Sequence, residues 1–332
     1  MTADLILKAS SIITIDDANP RAEAVAIDTS TGTITAVGSL ADAQAAAPGA
    51  TVTDLGDSVL LPGFIDSHNH PLLGGALTQA PGYWIAPYVG YPKFSDVEAL
   101  WQKVNAETPA GKAVVFTGLD RLLQQAPAPT AQSLDAVFGD RPVFVFDNSG
   151  HEGYFNTAAM ALAGWKDATP PPDPVGARFG RNADGTSTGQ AFETAALLQI
   201  GLPVFKAAGL NPLVGAAQWY RFMSQFGITS TSEHAFSSKQ TALYDALATM
   251  KAGPVLRITA YQMTIDPELG KPLGATAPKE QKTNESSLAT DPRMTLTLTL
   301  LESSCWYNSC RVALERGRVI AATYNQNPCV VS

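Results

Sequence analysis

The beginning of the chain alternates apolar and polar residues in short runs. Residues 33–37 (TITAV) form one such run, and turn-forming clusters stand at residues 19–20 (NP) and 29–32 (TSTG). Successive side chains of a strand point to opposite faces, so alternation with a period of two predicts strands. Several short strands separated by turns predict a small β unit over residues 1–58.

Further along, the pattern changes to short apolar runs separated by segments with helical character. Residues 114–117 (VVFT) and 143–146 (VFVF) are β-branched and aromatic, as in parallel sheets buried on both faces. Between them, residues 133–138 predict a helix capped by Ser133, and Pro212 predicts the start of another helix. A β-rich beginning followed by a strand-helix series predicts an α/β fold, a TIM-type β/α barrel carrying a small β-sandwich.

The strands that the sequence predicts are too few to close such a barrel. Counted from Phe64, they end near His70, Thr117, Asp147, Ser232 and Tyr261, with one more near Gln190. A TIM-type barrel closes with eight strands, so we expect a partial barrel over residues 59–290. An open barrel would expose apolar surface and an unpaired strand edge.

The C-terminal residues differ in composition from the rest of the chain. Residues 1–304 contain no cysteine, and then Cys305, Cys310 and Cys329 follow. An odd number at these spacings defines neither a disulfide framework nor a zinc site. Residues 295–300 (TLTLTL) alternate as a strand would. We expect residues 291–332 to be an atypical, non-homologous tail on a truncated chain; the alternative is a natural short variant whose tail packs in its own way.

Composition and charge restrict the classes of partner. The chain has 332 residues, 45% hydrophobic, and a net charge of -8, so it can bury a sizeable core and offers no basic surface to phosphate groups. The N-terminus lacks a basic segment followed by an apolar core, and no segment is long and apolar enough to span a bilayer. We expect a cytoplasmic protein that binds a small molecule rather than nucleic acid or membrane; the sequence indicates no oligomeric state.

Two of the four histidines, His68 and His70, lie two residues apart just after an apolar stretch. Residues 59–61 and Phe64-Ile65 predict a buried strand that ends before them. Side chains at i and i+2 on an extended backbone leave from the same face, so both imidazoles can bind one divalent transition metal. A polar loop after a strand is the alternative interpretation.

The residues around this pair resemble a known family. Residues 61–70 (LPGFIDSHNH) are closely similar to the first metal-binding motif of the amidohydrolase superfamily, which closes the first barrel strand. Three further stretches, in the family's order, resemble amidohydrolase family three, which includes N-substituted formamide deformylases. They are residues 147–151 followed by Asn156, residues 184–189 leading to Glu193, and residues 226–230. The opening residues resemble the β-sandwich segment that precedes such barrels, and the resemblance fades after about residue 265.

The resemblance implies a set of metal ligands. His68 and His70 would bind a catalytic divalent metal, with zinc as the first choice, and His234 is a further candidate ligand. Glu193 would take the place of the bridging acidic ligand, or alternatively place its charge at a helix N-terminus. Asp66, two residues before His68, would orient a ligand by a hydrogen bond or cap the turn.

Two other residues are assigned by their positions. His151 follows an apolar strand and Gly150, and the resemblance implies that it contacts substrate or polarises a carbonyl; the alternative is a structural histidine. Glu233 directly precedes His234. Adjacent strand residues point to opposite faces, so we do not expect both in one site.

The reaction implied by the resemblance is hydrolysis of a non-peptide carbon–nitrogen bond in an amide or formamide. A bound metal lowers the pKa of its water towards about 7, while a carboxylate carries protons to the leaving amine. No histidine follows His234, and the aspartate that serves as the family's base, at the end of the eighth barrel strand, is not recognisable. A non-catalytic truncated remnant is therefore the alternative. A serine hydrolase, suggested by Gly185-Thr186-Ser187-Thr188-Gly189, is disfavoured because the preceding residues do not form an apolar strand.

Overall fold

The computed structural model describes residues 3–250, 256–262, 298–301, 309–315 and 318–322. These residues form two compact units. The first unit contains the described residues up to Pro71 and those from Tyr220 onward, and the second unit is Leu72–Trp219. The second unit is therefore one continuous stretch of chain that interrupts the first unit in sequence.

The N-terminal residues of the first unit form strands, as their alternating pattern predicts. The elements are β1 (Leu5–Ile13), β2 (Arg21–Asp28), β3 (Thr33–Gly38), α1 (Leu40–Ala46), β4 (Thr51–Asp54), β5 (Val59–Pro62) and β6 (Phe64–Asp66). β1 pairs antiparallel with β2 and parallel with β4 and β5, and β2 pairs antiparallel with β3. Leu7 and Ile27 are buried on one face of this sheet, while Ile6 and Ala26 pack with Ala43 of α1. This sheet therefore buries apolar side chains on both of its faces.

The second unit is built on a six-stranded mixed sheet. Its elements are α2 (Pro71–Thr78), β7 (Tyr83–Trp84), α3 (Phe94–Glu107), β8 (Val114–Leu119), α4 (Ala131–Phe138), β9 (Val143–Asp147), β10 (Glu152–Phe155), α5 (Thr157–Leu162), β11 (Arg178–Arg181), β12 (Ser187–Phe192), α6 (Thr194–Ala208) and the first part of α7 (Pro212–Gln225), whose residues from Tyr220 onward belong to the first unit. The strand order is β11-β12-β10-β9-β8-β7, and β7, β8 and β9 are parallel. Val115 and Phe144 belong to one core, Phe116 and Val145 to another. The prediction that these strands are buried on both faces is confirmed.

The predicted start of a helix at Pro212 is confirmed, whereas the prediction that Ser133 caps α4 is wrong. α7 begins at Pro212, and the side chain of Asn211 accepts hydrogen bonds from the first free backbone N–H groups. In α4 the cap is Thr130, because Thr130 Oγ1 accepts from the Ser133 N–H (3.1 Å) and Ser133 Oγ accepts from the Thr130 N–H (2.8 Å). Ser133 is thus the reciprocal partner at the third helical position rather than the cap itself.

Helices α2 and α7 approach each other through two glycines. A Cβ atom on Gly75 would lie 2.6 Å from the carbonyl oxygen of Gly215, and one on Gly215 would lie 2.4 Å from the carbonyl oxygen of Gly75. Side chains larger than a hydrogen atom cannot fit at this distance, so the backbones touch only because both residues are glycine. The beginning and the end of the second unit are therefore in direct contact.

No single helix among the described residues is long and apolar enough to cross a membrane. α6 and α7 meet that criterion only when they are counted together, and the pair is bent by 84°.

After the second unit the chain completes the first. The remaining elements are β13 (Ile228–Phe236), α8 (Thr241–Thr249), β14 (Arg257–Gln262), β15 (Leu298–Leu301), β16 (Ser309–Glu315) and β17 (Arg318–Ala322). β13 is the central strand of a three-stranded parallel sheet in the order β14-β13-β6. β15 pairs antiparallel with β5, which extends the N-terminal sheet to eight strands in the order β17-β16-β15-β5-β1-β2-β3, with β4 beside β1.

The strands that the sequence assigns to one partial barrel are divided between two sheets. The strands near Thr117, Asp147 and Gln190 lie in the sheet of the second unit. Those near His70, Ser232 and Tyr261 are β6, β13 and β14 of the first unit. One partial barrel made of all these strands is therefore not confirmed, because burial on both faces identifies a strand of a covered sheet without identifying its partners.

The tail is described in part. Residues 298–301 of the predicted strand are β15, whereas residues 295–297 lie outside the described residues. Cys310 lies in β16, and Cys305 and Cys329 lie outside the described residues.

Candidate functional site

The carboxylate of Asp66, at the end of β6, holds the turn that follows. Its Oδ1 accepts a hydrogen bond from the backbone N–H of His68 (3.3 Å), and its Oδ2 accepts one from the side-chain amide of Asn69 (2.6 Å). The Oδ1 of Asn69 accepts in turn from the backbone N–H of His70 (2.7 Å). Asp66 thus makes the contacts of a turn cap and fixes the backbone that carries both histidines.

Parallel pairing with β13 brings His234 to the same turn. Asp66, the last residue of β6, is in register with Thr231, and β13 continues past it to Phe236, so His234 lies on the part of β13 beyond the end of β6. The backbone N–H of His234 donates to the carbonyl of Asn69 (3.0 Å), and its ring Nε2 lies 2.9 Å from the carbonyl oxygen of Ser67. A carbonyl oxygen only accepts hydrogen bonds, so Nε2–H of His234 is the donor, and in the neutral ring Nδ1 then has the lone pair.

His68, His70 and His234 form one group, which we call the histidine cluster. The ring of His68 lies 4.3 Å from that of His234, nearly parallel to it, and 5.5 Å from that of His70, edge-on. Tyr261 of β14 also stacks on His234, at 4.5 Å. The structure thus brings together the two histidines of the motif and the histidine of the later strand β13.

Glu233 also reaches the histidine cluster, which contradicts the expectation that it and His234 could not share one site. Its Oε1 lies 3.4 Å from Nδ1 of His70 and accepts a hydrogen bond from the backbone N–H of Ala235 (2.9 Å). The alternation rule applies within β13, whereas His70 stands on the loop after β6 and meets Glu233 from outside that strand. The sequence analysis did not predict the contact between Glu233 and His70. The one signal for it was the position of Glu233, a carboxylate directly before the candidate ligand His234.

Tyr244 of α8 holds the other oxygen of this carboxylate. Its hydroxyl donates to Oε2 of Glu233 over 3.0 Å, and both residues are buried. Burial raises the pKa of the Tyr244 phenol well above its usual value, and the neighbouring Tyr220 and Glu233 add to the shift. The phenol therefore keeps its proton and remains a hydrogen-bond donor to Glu233.

The residue types in the histidine cluster fit a divalent transition metal. Imidazole nitrogens are good ligands for such ions, and Nε2 of His70 and Nδ1 of His234 are the nitrogens not engaged by Glu233 and Ser67. In the part of the chain that the structure describes, no three His, Cys, Asp or Glu side chains converge as a ready ligand set. The fit is therefore one of donor chemistry and proximity.

The other two predicted site residues, His151 and Glu193, pair with each other in the second unit. Nδ1 of His151 lies 3.0 Å from Oε2 of Glu193, and the Glu193 N–H donates to the carbonyl of His151 (2.8 Å). Their side chains are 68% and 52% exposed. A carboxylate on Nδ1 leaves Nε2 for proton exchange, so this pair has the chemistry of a general acid or base.

Glu193 adopts an unusual backbone conformation. Its φ of 69° and ψ of 155°, just before α6, fall in a region that is populated almost entirely by glycine. The side chain makes no capping hydrogen bond to the helix and instead contacts His151. Backbone strain of this kind is concentrated at functional sites, so the geometry singles out Glu193.

Ser187 does not have the surroundings of a nucleophile. It is buried within β12, where its Oγ accepts a hydrogen bond from the N–H of Gly189 (3.0 Å). A nucleophile elbow places serine on a sharp turn between a strand and a helix. The Gly-x-Ser-x-Gly match is therefore a strand with no catalytic geometry.

A histidine pair just after the parallel strand β6 and a third histidine on the neighbouring strand β13 lead to the identification of the family. The chain belongs to the amidohydrolase family, whose model matches residues 51–291. The resemblance drawn from the motifs is confirmed.

Two curated relatives show where the similarity lies. The N-substituted formamide deformylase of Arthrobacter pascens is 31% identical over 197 residues, which cover 59% of this chain and 35% of that protein. The exoenzymes regulatory protein AepA of Pectobacterium carotovorum subsp. carotovorum is 29% identical over 197 residues, covering 58% of this chain and 41% of that protein. The chain thus spans about two fifths or less of the length of these relatives.

Solved structures share the fold. An uncharacterized metal-dependent hydrolase from Pyrococcus horikoshii OT3 matches with a TM-score of 0.53 and 18% identity, over 78% of this chain and 48% of that one. A second, from Pyrococcus furiosus, matches with a TM-score of 0.52 and 19% identity, over 78% of this chain and 50% of that one. At such identity the likeness concerns the fold alone.

Proposed function

We propose that the chain is part of a metal-dependent hydrolase that cleaves a non-peptide carbon–nitrogen bond in an amide or formamide. The observation that carries the proposal is the histidine cluster, in which the ring of His68 lies within 5.5 Å of both His70 and His234. Family membership supports the reaction class. The relative named as an N-substituted formamide deformylase favours formamides among the substrates.

The histidine cluster would hold the metal, with zinc as the first choice because imidazole is among its preferred ligands. When bound, such an ion lowers the pKa of water to about 7 and polarises a substrate carbonyl. The chain's own contribution is to fix the imidazoles: Ser67 selects the tautomer of His234, and Asp66 fixes the turn below His68. Glu193 stays a proposed further ligand, although its carboxylate is engaged with His151.

His151 is the proposed group for proton transfer. With Nδ1 bonded to Glu193, Nε2 of His151 can take a proton from a nucleophile or give one to a leaving amine. The Glu193 carboxylate would keep the imidazole in this orientation and stabilise its protonated form.

The fold proposed for residues 59–290 is a partial β/α barrel to which β6, β13 and β14 contribute. Parallel sheets of this class are covered on both faces, whereas Phe64 and Ile65 on β6, which the sequence predicts to be buried, are exposed; an incomplete barrel would leave them uncovered in this way. Residues 1–58 would be the sandwich segment and residues 291–332 the atypical tail.

The proposal is tested by metal content and turnover of the full chain. We expect close to one equivalent of a divalent metal, hydrolysis of N-formyl or N-acyl amines, and loss of both in His68→Ala. Gln102→Ala, an exposed position on α3, is the control and should keep both. Wild-type protein that is folded but neither binds added zinc nor releases amine would contradict the proposal.

A non-catalytic remnant of such an enzyme is the second candidate. The observation that favours it is the absence, among the described residues, of three side chains converging as metal ligands. The same experiment distinguishes the two, because a remnant gives a folded chain whose His68→Ala variant differs from wild type in neither metal content nor turnover.

A further inference from the structure

Glu233 is an ionisable residue in a buried position, where a carboxylate is uncommon unless other groups bind it. It is 1% exposed, and its neighbours Thr231 and Ser232 on β13 are buried as well. Burial of an ionised carboxylate costs several kcal/mol unless hydrogen-bond donors surround it. An apolar side chain would satisfy packing at this position, so the function of Glu233 must come from what its oxygens bind.

Both oxygens of Glu233 are held by groups of the first unit. The Ala235 N–H donates to Oε1 over 2.9 Å, and the Tyr244 hydroxyl donates to Oε2 over 3.0 Å. Backbone N–H groups do not rotate, and Tyr244 is itself buried. The carboxylate is therefore a fixed acceptor, and its Oε1 faces Nδ1 of His70 at 3.4 Å.

We propose that Glu233 is a positioning residue that accepts the Nδ1–H of His70 and so keeps Nε2 of His70 as the nitrogen available to a metal. The part of this inference that concerns the metal rests on the function proposed above. The part that concerns the tautomer of His70 stands on the contacts of Glu233 alone.

The chemical reason is that neutral imidazole exists in two tautomers and only the unprotonated nitrogen can bind a metal. A carboxylate beside one nitrogen selects the tautomer and orients the ring, and loss of such a partner costs about 10-fold to 100-fold in metal affinity. His70 stands on a loop with its side chain 45% exposed, so its ring depends on such a partner for a defined orientation. The carbonyl of Ser67 acts in the same way on His234.

The first test is the tautomer of His70, measured on the metal-stripped full chain by long-range nitrogen–proton NMR of labelled histidine above neutral pH. We expect the Nδ1–H form in wild type and a shift towards the Nε2–H form in Glu233→Met, which keeps side-chain length and removes both oxygens. Glu233→Gln retains one acceptor oxygen and should give an intermediate result. Unchanged tautomer populations in Glu233→Met would overturn the inference.

The second test is zinc affinity by titration calorimetry on the same proteins. We expect Glu233→Met to bind zinc about 10-fold to 100-fold more weakly than wild type, with partial rescue in Glu233→Gln. Glu98→Met, an exposed glutamate of α3, is the matched control and should bind as wild type does. If Glu233→Met does not fold, Glu233→Gln carries both tests, and unchanged tautomer populations together with unchanged zinc affinity in that variant would overturn the inference.

The outcomes separate this inference from the proposed function. Wild type that binds no zinc contradicts the proposed function, while the tautomer measurement still decides the role of Glu233. Wild type that binds zinc together with a Glu233→Met protein of equal affinity overturns the role of Glu233 and leaves the proposed function standing.

Discussion

The described residues include two histidine–carboxylate pairs, which have similar distances and different surroundings. His70 and Glu233 in the first unit lie 3.4 Å apart with a buried carboxylate, whereas His151 and Glu193 in the second unit lie 3.0 Å apart with both side chains largely in solvent. The shorter contact is not the stronger one, because water screens an exposed pair and removes most of its contribution to stability. Burial, rather than distance, decides which carboxylate the fold depends on.

The largest expected difference between the two pairs is the loss in free energy of unfolding when each carboxylate is removed by mutation. Glu233→Ala leaves the buried donors of Tyr244 and Ala235 without their acceptor, so we expect the free energy of unfolding to fall by about 2–3 kcal/mol. Glu193→Ala should change it by no more than about 1 kcal/mol, since its pair is exposed. Urea unfolding followed by circular dichroism measures both. Equal losses in the two variants would remove the distinction.

Stability at alkaline pH should also differ between the two pairs, because the buried carboxylate of Glu233 accepts a hydrogen bond from the Tyr244 phenol. A pKa that folding raises means that the unfolded chain releases the proton first, so the stabilisation is complete below about pH 10 and is lost as the pH rises further. We expect this phenol to contribute a decline of up to about 1.4 kcal/mol per pH unit above about pH 10, and Tyr244→Phe to lack that part. Unfolding curves between about pH 9 and pH 11 measure the slopes, with the exposed Tyr88→Phe as control. Identical slopes in wild type and Tyr244→Phe would disprove the coupling.

The smallest predicted effect is a gain, rather than a loss, in the free energy of unfolding. Glu193→Gly relieves the unfavourable φ of 69°, so we expect a gain of roughly 1 kcal/mol in the free energy of unfolding relative to Glu193→Ala, which removes the same carboxylate but keeps Cβ. If the His151–Glu193 pair serves catalysis, both variants lose turnover while only the glycine variant gains stability. A glycine variant less stable than the alanine variant would show that the backbone of Glu193 is not strained.

The sequence predicted the elements of these two regions better than their assembly. The apolar runs of β8 and β9 and the start of α7 were recognised because local composition determines them. That β8 and β9 pair outside the sheet of β6 was not recognised, since pairing depends on contacts distant in sequence. His68, His70 and His234 were selected as site residues, whereas Glu233 was set aside and the contact between His151 and Glu193 was not foreseen. Alternation and motif spacing describe one segment at a time, and each missed contact joins two segments.

The glycine contact between α2 and α7 bears on the order in which the protein can fold. Ser232 of β13 meets Asp66 of β6 across 166 residues of chain, and closing a flexible loop of that length would cost on the order of 4–5 kcal/mol in entropy. The second unit is contiguous and can build its own core first. A chain in which the second unit folds first would need only a short further closure between β6 and β13, because Gly75 would then already lie against Gly215. Folding of the second unit would thus lower the entropic cost of bringing the residues of the histidine cluster together.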